Sequence, residues 1–191
     1  MTNKTAFILS AVLAGVAFAP SSAPAAPAQV ILIRHAEKPA SGNELNTQGF
    51  QRAKALVGFF ENTPSMTRYG TPVAIYAMAP KDQTGSVRPI QTVTPLADSL
   101  GLKINTAYKK DELTLLIGEI LNTGAYDGKM VLVCWEHNMI PKIVKGFGWD
   151  GAPQSWDGSV FDRAWVLNFT DGAVVSFEDI PQRLLPGDSA Q

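Results

Sequence analysis

The chain has 191 residues, the length of one ordinary domain, and its 46% hydrophobic and 17% charged composition excludes a disordered polyelectrolyte. Sixteen basic against 17 acidic residues give a net charge of −1, so no electrostatic footprint for nucleic acid is present and none is expected as a partner. A single cysteine, Cys134, excludes an intramolecular disulfide and a cysteine-cluster metal site.

The N-terminus reads as a targeting segment. Lys4 precedes an apolar run, Ala6–Ala19, followed by small residues and prolines through Ala28. A run of about 14 residues has the length of a signal-peptide core and is short for a bilayer span. Ala23-Pro24-Ala25 and Ala26-Pro27-Ala28 both fit the small-x-small cleavage pattern. Residues 1–28 are therefore expected to be a signal peptide and 29–191 the functional domain. The protein is expected to be exported, periplasmic or extracellular, with no membrane span left after processing. The alternative is an uncleaved anchor or a buried helix.

Val30-Ile31-Leu32-Ile33 is wholly apolar and β-branched, as expected of a strand buried on both faces of a parallel sheet; it ends at Arg34-His35. After a Gly/Asn loop, Asn46 is the N-cap of a predicted helix from Thr47 to about Glu61, with Ala53, Leu56, Val57 and Phe60 on its apolar face. Asn62–Pro72 reads as loop, Pro72–Ala77 as a second strand and Ala79–Val87 as loop. Arg88-Pro89 opens a helical stretch in which Pro95 predicts a kink or an early stop before Leu100-Gly101.

Leu102–Thr106 is a short third strand, and Asp111–Leu121 a helix closed by Asn122 and Gly124. Met130–Trp135 is a second wholly apolar strand, followed by Glu136-His137-Asn138, and Ile140–Phe147 is a short helix. Thr170-Asp171-Gly172 between Ala164–Phe169 and Ala173–Phe177 signals a hairpin, and the tail after Pro181 reads as loose. Alternating strands and helices closed by a hairpin predict an α/β three-layer sandwich with a mostly parallel central sheet and an antiparallel C-terminal edge hairpin.

Ligands of open α/β sheets bind beyond the carboxyl ends of the strands, and both histidines of the chain, His35 and His137, fall at such ends. If the two strands are neighbours, both imidazoles face one crevice. A lone strand-end histidine is more often a surface residue, but the chain has no others. Arg34 adjoins His35, and Arg88 opens a helix; guanidinium groups at a helix N-terminus make an anion site. Lys38 is a further phosphate contact or a solvated charge, and Arg52, Arg68, Arg163 and Arg183 read as solvated surface charges. Trp149 and Trp156 belong either to a pocket rim or to ordinary packing.

Five ordered segments carry a resemblance. Ile31-Leu32-Ile33-Arg34-His35-Ala36-Glu37-Lys38 resembles the Arg-His-Gly signature of the histidine phosphatase superfamily, the phosphoglycerate-mutase-like fold. Leu45–Ala53 resembles that family's opening of the first helix, Arg88-Pro89-Ile90-Gln91-Thr92-Val93 its Arg-x-x-Gln-Thr-Ala, Leu96–Leu102 the continuation, and Val131–Asn138 the strand bearing its second histidine. Ala36 replaces the usual glycine and Lys38 the usual serine or threonine.

The resemblance implies a phosphohydrolase that cleaves a phosphomonoester or related phosphoryl compound through phosphohistidine, without cofactor or metal. It implies His35 as nucleophile, Arg34 and Arg88 as phosphoryl ligands, and His137 as the second pocket histidine. It also implies a carboxylic acid that protonates the leaving group. Asp111 or Glu112, after the third strand, would fill that role, Glu112 before Asp111. Glu136 is the rival, although strand alternation would turn it away from His137. Two other readings compete: a phospholigand-binding module on a degenerate phosphatase fold, and a metal-free phosphodiesterase using His35, His137 and Lys38. The substrate class is a small phosphorylated molecule, and the sequence does not specify an oligomeric state.

Overall fold

The computed structural model describes residues 26–189. Its elements run β1 (Gln29–Arg34), α1 (Thr47–Asn62), α2 (Pro64–Thr67), β2 (Ala74–Ala77), α3 (Arg88–Leu100), β3 (Ile104–Asn105), α4 (Leu113–Asn122), β4 (Met130–Trp135), α5 (Ile140–Gly146), β5 (Arg163–Thr170) and β6 (Ala173–Pro181). The strands form one sheet in the order β3-β2-β4-β1-β5-β6. Strands β3, β2, β4 and β1 are mutually parallel, whereas β5 and β6 are antiparallel additions. The expected three-layer α/β sandwich is the observed one.

Side-chain alternation along β1 divides the core. Ile31 and Ile33 pack with Leu56, Phe60, Val93 and Leu96 of α1 and α3; Val30 and Leu32 pack with Leu116, Ile120, Ile143 and Val144 of α4 and α5. Covering both faces explains why β1 and β4 are apolar along their whole length. The Asn46 side chain accepts a 2.8 Å hydrogen bond from Gly49 N, capping α1 as expected. Gly49 is needed there, since a Cβ would lie 2.3 Å from the Glu37 carbonyl oxygen. Asp171 (φ 51°) and Gly172 (φ 79°) both take positive φ, the backbone of a type I′ hairpin turn.

Four expectations need correction. The segment 62–72 contains the short helix α2. Helix α3 continues through Pro95 to the left-handed cap at Gly101. Val93, Leu96 and Ala97 bury themselves around that proline, and this packing outweighs its lost hydrogen bond.

Third, Arg52 is not a solvated charge: its side chain is 2% exposed and pairs with Glu37 and Asp188, each at 2.7 Å. Arg163 likewise pairs with Asp179 at 2.7 Å. Fourth, the tail after Pro181 is anchored. Asp188 binds Arg52 and accepts from the backbone N–H groups of Leu184 and Leu185, and Gln182 N donates to Asp162 O. The expected signal peptide lies largely outside the described residues; no described helix is long and apolar enough to cross a membrane.

Candidate active site

Strands β1 and β4 are adjacent, in the register Arg34↔Trp135, so the segments leaving their carboxyl ends emerge side by side. His35 N donates to Trp135 O at 3.1 Å, extending the ladder by one residue and fixing the chain at the histidine. The His35 ring is buried. Its Nδ1 lies 2.8 Å from the carbonyl oxygen of Ala36. A carbonyl only accepts, so Nδ1 carries the proton and Nε2 keeps the free lone pair.

Burial above all, then the charges of Arg34, Arg88 and His137, outweigh that hydrogen bond and lower the His35 pKa to about 4. His35 is therefore neutral at neutral pH.

Arg34 ends β1 and is 1% exposed. Its Nη1 donates to the carbonyl oxygens of Gly158 (2.9 Å) and Val160 (2.8 Å), and the Phe161 ring lies 3.8 Å from its Cζ. Its Nε is buried with no hydrogen-bond partner among the described residues. Burial lowers its pKa to about 10, which leaves it cationic. The Nη1 corner of the guanidinium is thus clamped to the 157–161 loop, while Nε and Nη2 have no hydrogen-bond partner among the described residues.

Arg88 is the first residue of α3. It donates through Nε to Glu44 O at 3.1 Å and through Nη2 to Gly42 O, so the loop before α1 orients it.

Glu136 and His137 lie past the end of β4, so strand alternation does not separate them: Glu136 Oε1 is 3.2 Å from His137 Nδ1. This pair has ion-pair distance without hydrogen-bond geometry, since His137 Nδ1 has no hydrogen-bond partner among the described residues. Burial, then the charge of Arg34, lowers the His137 pKa, so the ring is neutral and the contact is not ionic at neutral pH. The Nε2 atom would lie 3.6 Å from a Cβ at Gly158, beside the carbonyl that holds Arg34.

Glu136 also lies 3.2 Å from Lys110 Nζ and accepts from Asn138 Nδ2 at 2.6 Å. Burial alone would raise its pKa, but Lys110 and its other partners bring it below the usual carboxylate range.

A cavity of about 610 Å³ adjoins the site at Glu136; Met78, Ser86, Lys110, Asp111 and Glu112 also line it, whereas Arg34, His35, Arg88 and His137 do not. All three candidate acids therefore reach one cavity. Glu112 is the N-cap residue of α4, and its carboxylate accepts from Lys109 N at 2.7 Å. Lys38 is exposed, and its charge is felt by His137. Trp156 is core: it donates to Val160 O at 2.9 Å and packs on Trp165. Sequence reasoning missed Phe161 and the Gly158 and Val160 carbonyls, because an irregular loop has no periodicity to read.

The solved structure of a protein histidine phosphatase, SixA, complexed with tungstate is similar to this chain at TM-score 0.60 and 14% identity, over 81% of this chain and 97% of that one. The alpha-ribazole phosphatase from Shigella flexneri is similar at TM-score 0.53 and 10% identity, over 76% and 93%. No protein-family model matches the chain, and no curated protein matches it in sequence. The likenesses establish the fold: it is that of the histidine phosphatases.

Proposed function

We propose that the chain is a phosphohydrolase that cleaves a phosphomonoester or related phosphoryl compound through a phosphohistidine at His35. The observation that carries this reading is the His35 ring itself. It is buried and neutral, Nδ1 is tied to Ala36 O, and Nε2 is left free among Arg34, Arg88 and His137. The similar fold that holds tungstate supports it, since tungstate is a tetrahedral oxyanion of the phosphate kind.

In the first step Nε2 forms a bond to phosphorus as the bond to the leaving oxygen breaks. The guanidinium groups of Arg34 and Arg88 bind the phosphoryl oxygens, with His137 beside them, and stabilise their charge. Lys38 adds positive charge at the mouth. One of the three acids on the cavity, Asp111, Glu112 or Glu136, gives its proton to the leaving oxygen in this step and, as the carboxylate so formed, takes a proton from the hydrolytic water in the next. In the second step water attacks phosphorus, the N–P bond breaks, and its electron pair returns to Nε2.

The protein should hydrolyse a generic aryl phosphate and be inhibited by vanadate. Arg88→Ala should weaken vanadate inhibition and turnover together by about ten- to a hundredfold, the loss of a charge-assisted contact worth roughly 1.5–3 kcal/mol. Vanadate binding without any turnover would make the chain a phospholigand-binding module instead. Unchanged vanadate inhibition in Arg88→Ala would place Arg88 outside the site.

Export belongs to the same proposal. Ala26 O accepts from Gly128 N, Ala28 N donates to Lys129 O, and Ala28 O accepts from Phe169 N. A cut after Ala25 keeps all three bonds, and a cut after Ala28 removes them. The exported protein should begin between Ala26 and Gln29, as checked by intact-mass measurement; a full 191-residue chain in the exported fraction would refute processing.

A further inference from the structure

We infer that Thr92 is a positioning residue that sets the tautomer of His35 and joins the two halves of the anion site, an inference that rests on the function proposed above. Thr92 lies one turn into α3 and is fully buried. Its hydroxyl has two strong partners. It accepts from the backbone N–H of Ala36 at 2.9 Å and donates to the backbone carbonyl of Arg88 at 2.7 Å. The buried Cys134 thiol is a further neighbour of that oxygen.

Ala36 is the residue that decides the state of His35. Its carbonyl oxygen receives the Nδ1 proton at 2.8 Å. That carbonyl belongs to the peptide group that follows the Ala36 Cα and the Ala36 N–H to the one that precedes it, so Thr92, which holds the N–H, anchors the Cα about which the carbonyl turns toward the ring. The chain of contacts therefore runs from the Arg88 carbonyl through the Thr92 hydroxyl to Ala36 N, and from Ala36 O to His35 Nδ1. With the hydroxyl present, the proton sits on Nδ1 and the lone pair on Nε2 faces the arginines. Without it, Ala36 N–H is buried and unpaired, and the segment can turn to satisfy it; the ring then loses its fixed acceptor. The same bridge holds the first turn of α3, and hence Arg88, at a set distance from the nucleophile.

The test uses the whole protein labelled with ¹⁵N at histidine. Ring nitrogen shifts at neutral pH should show His35 as the Nδ1–H tautomer in wild type and in Thr92→Ser, which keeps the hydroxyl. Thr92→Val keeps the shape and removes the hydroxyl; it should show a mixture of tautomers or the Nε2–H form. Turnover should fall in kcat by about ten- to a hundredfold, as for a misplaced reacting group, with KM changing much less. Thr92→Ser should stay within about threefold of wild type, because its hydroxyl is within reach of the same partners.

A folded Thr92→Val protein with the wild-type tautomer overturns the inference, whatever its activity, and so does a Thr92→Ser protein with the Val behaviour. Should Thr92→Val not fold, Thr92→Ala carries the same two readouts. A tautomer shift in a protein whose wild type never forms a phosphoenzyme leaves the Thr92 assignment standing and refutes the proposed function. Normal phosphoenzyme chemistry with an unmoved tautomer does the reverse.

Discussion

Replacing His35 with alanine should abolish both phosphoenzyme formation and hydrolysis. Wild-type protein quenched in acid during turnover should carry a phosphoryl group that is acid-labile and base-stable, as expected of phosphohistidine. In His35→Ala that label should be absent, and the rate should drop by roughly 10⁴-fold or more, the scale seen when a covalent nucleophile is lost. Arg34 and Arg88 are cationic, and Cys134 is fully buried with its thiol pushed toward the protonated form, so none of these three takes the nucleophile's place.

His137→Ala should behave differently. It removes a group beside the phosphoryl site but not the attacking atom, so a reduced amount of label should persist. The variant pair separates chemistry from folding, because both should show wild-type circular dichroism. Wild-type phosphatase activity in pure His35→Ala protein would sink the reading at its centre.

The placement of His35 and His137 was legible because burial writes itself into strands. Val30–Ile33 and Met130–Trp135 are apolar at every position, and only a strand covered on both faces needs that. Their adjacency, which brings the two histidines to one edge, was a condition that the register now meets. Asn46 and Asp171-Gly172 were legible for local reasons, one side-chain cap and one turn with two positive φ angles.

Nonlocal ties were not legible. Nothing near Arg52 announces Asp188, which lies 136 residues away. Nothing in Asp157–Val160 announces carbonyls that take the Arg34 guanidinium. At Pro95 the early stop does not occur: its local rule is sound, but the packing of α3 carries the helix through to Leu100. Alternation does not hold at Glu136 and His137, the first two residues after β4, because they lie outside the ladder that enforces it.

Arg52→Met should cause the largest loss of stability among the substitutions considered. The Arg52 guanidinium donates to Glu37 through Nε and Nη2, to Asp188 through Nη1 and Nη2, and to Gln182 Oε1 at 3.1 Å. The side chains of Glu37 and Asp188 are 10% and 6% exposed, so methionine leaves two carboxylates buried without a counter-charge. Breaking such a buried pair costs about 3–5 kcal/mol. At 2–4 °C per kcal/mol for a chain of this size, Tm at pH 7 should fall by roughly 6–20 °C. Replacing the charged group as a whole, with Arg52→Met, Glu37→Gln and Asp188→Asn together, should recover part of that loss, because the uncompensated charge is gone.

The pH dependence follows from Asp188. Burial alone would raise its pKa, but Arg52 and the N–H groups of Leu185 and Leu184 bring the net value below that of an ordinary aspartate. A depressed folded-state pKa contributes stability above the unfolded value, about 3.9, and that stability is lost as pH falls through the folded-state value. Wild-type Tm should therefore decline on acidification below about pH 4, and Arg52→Met should lose the Asp188 part of that decline. A Tm for Arg52→Met within about 2 °C of wild type at pH 7 would show that solvent reaches the carboxylates and that the tail is not held by this pair.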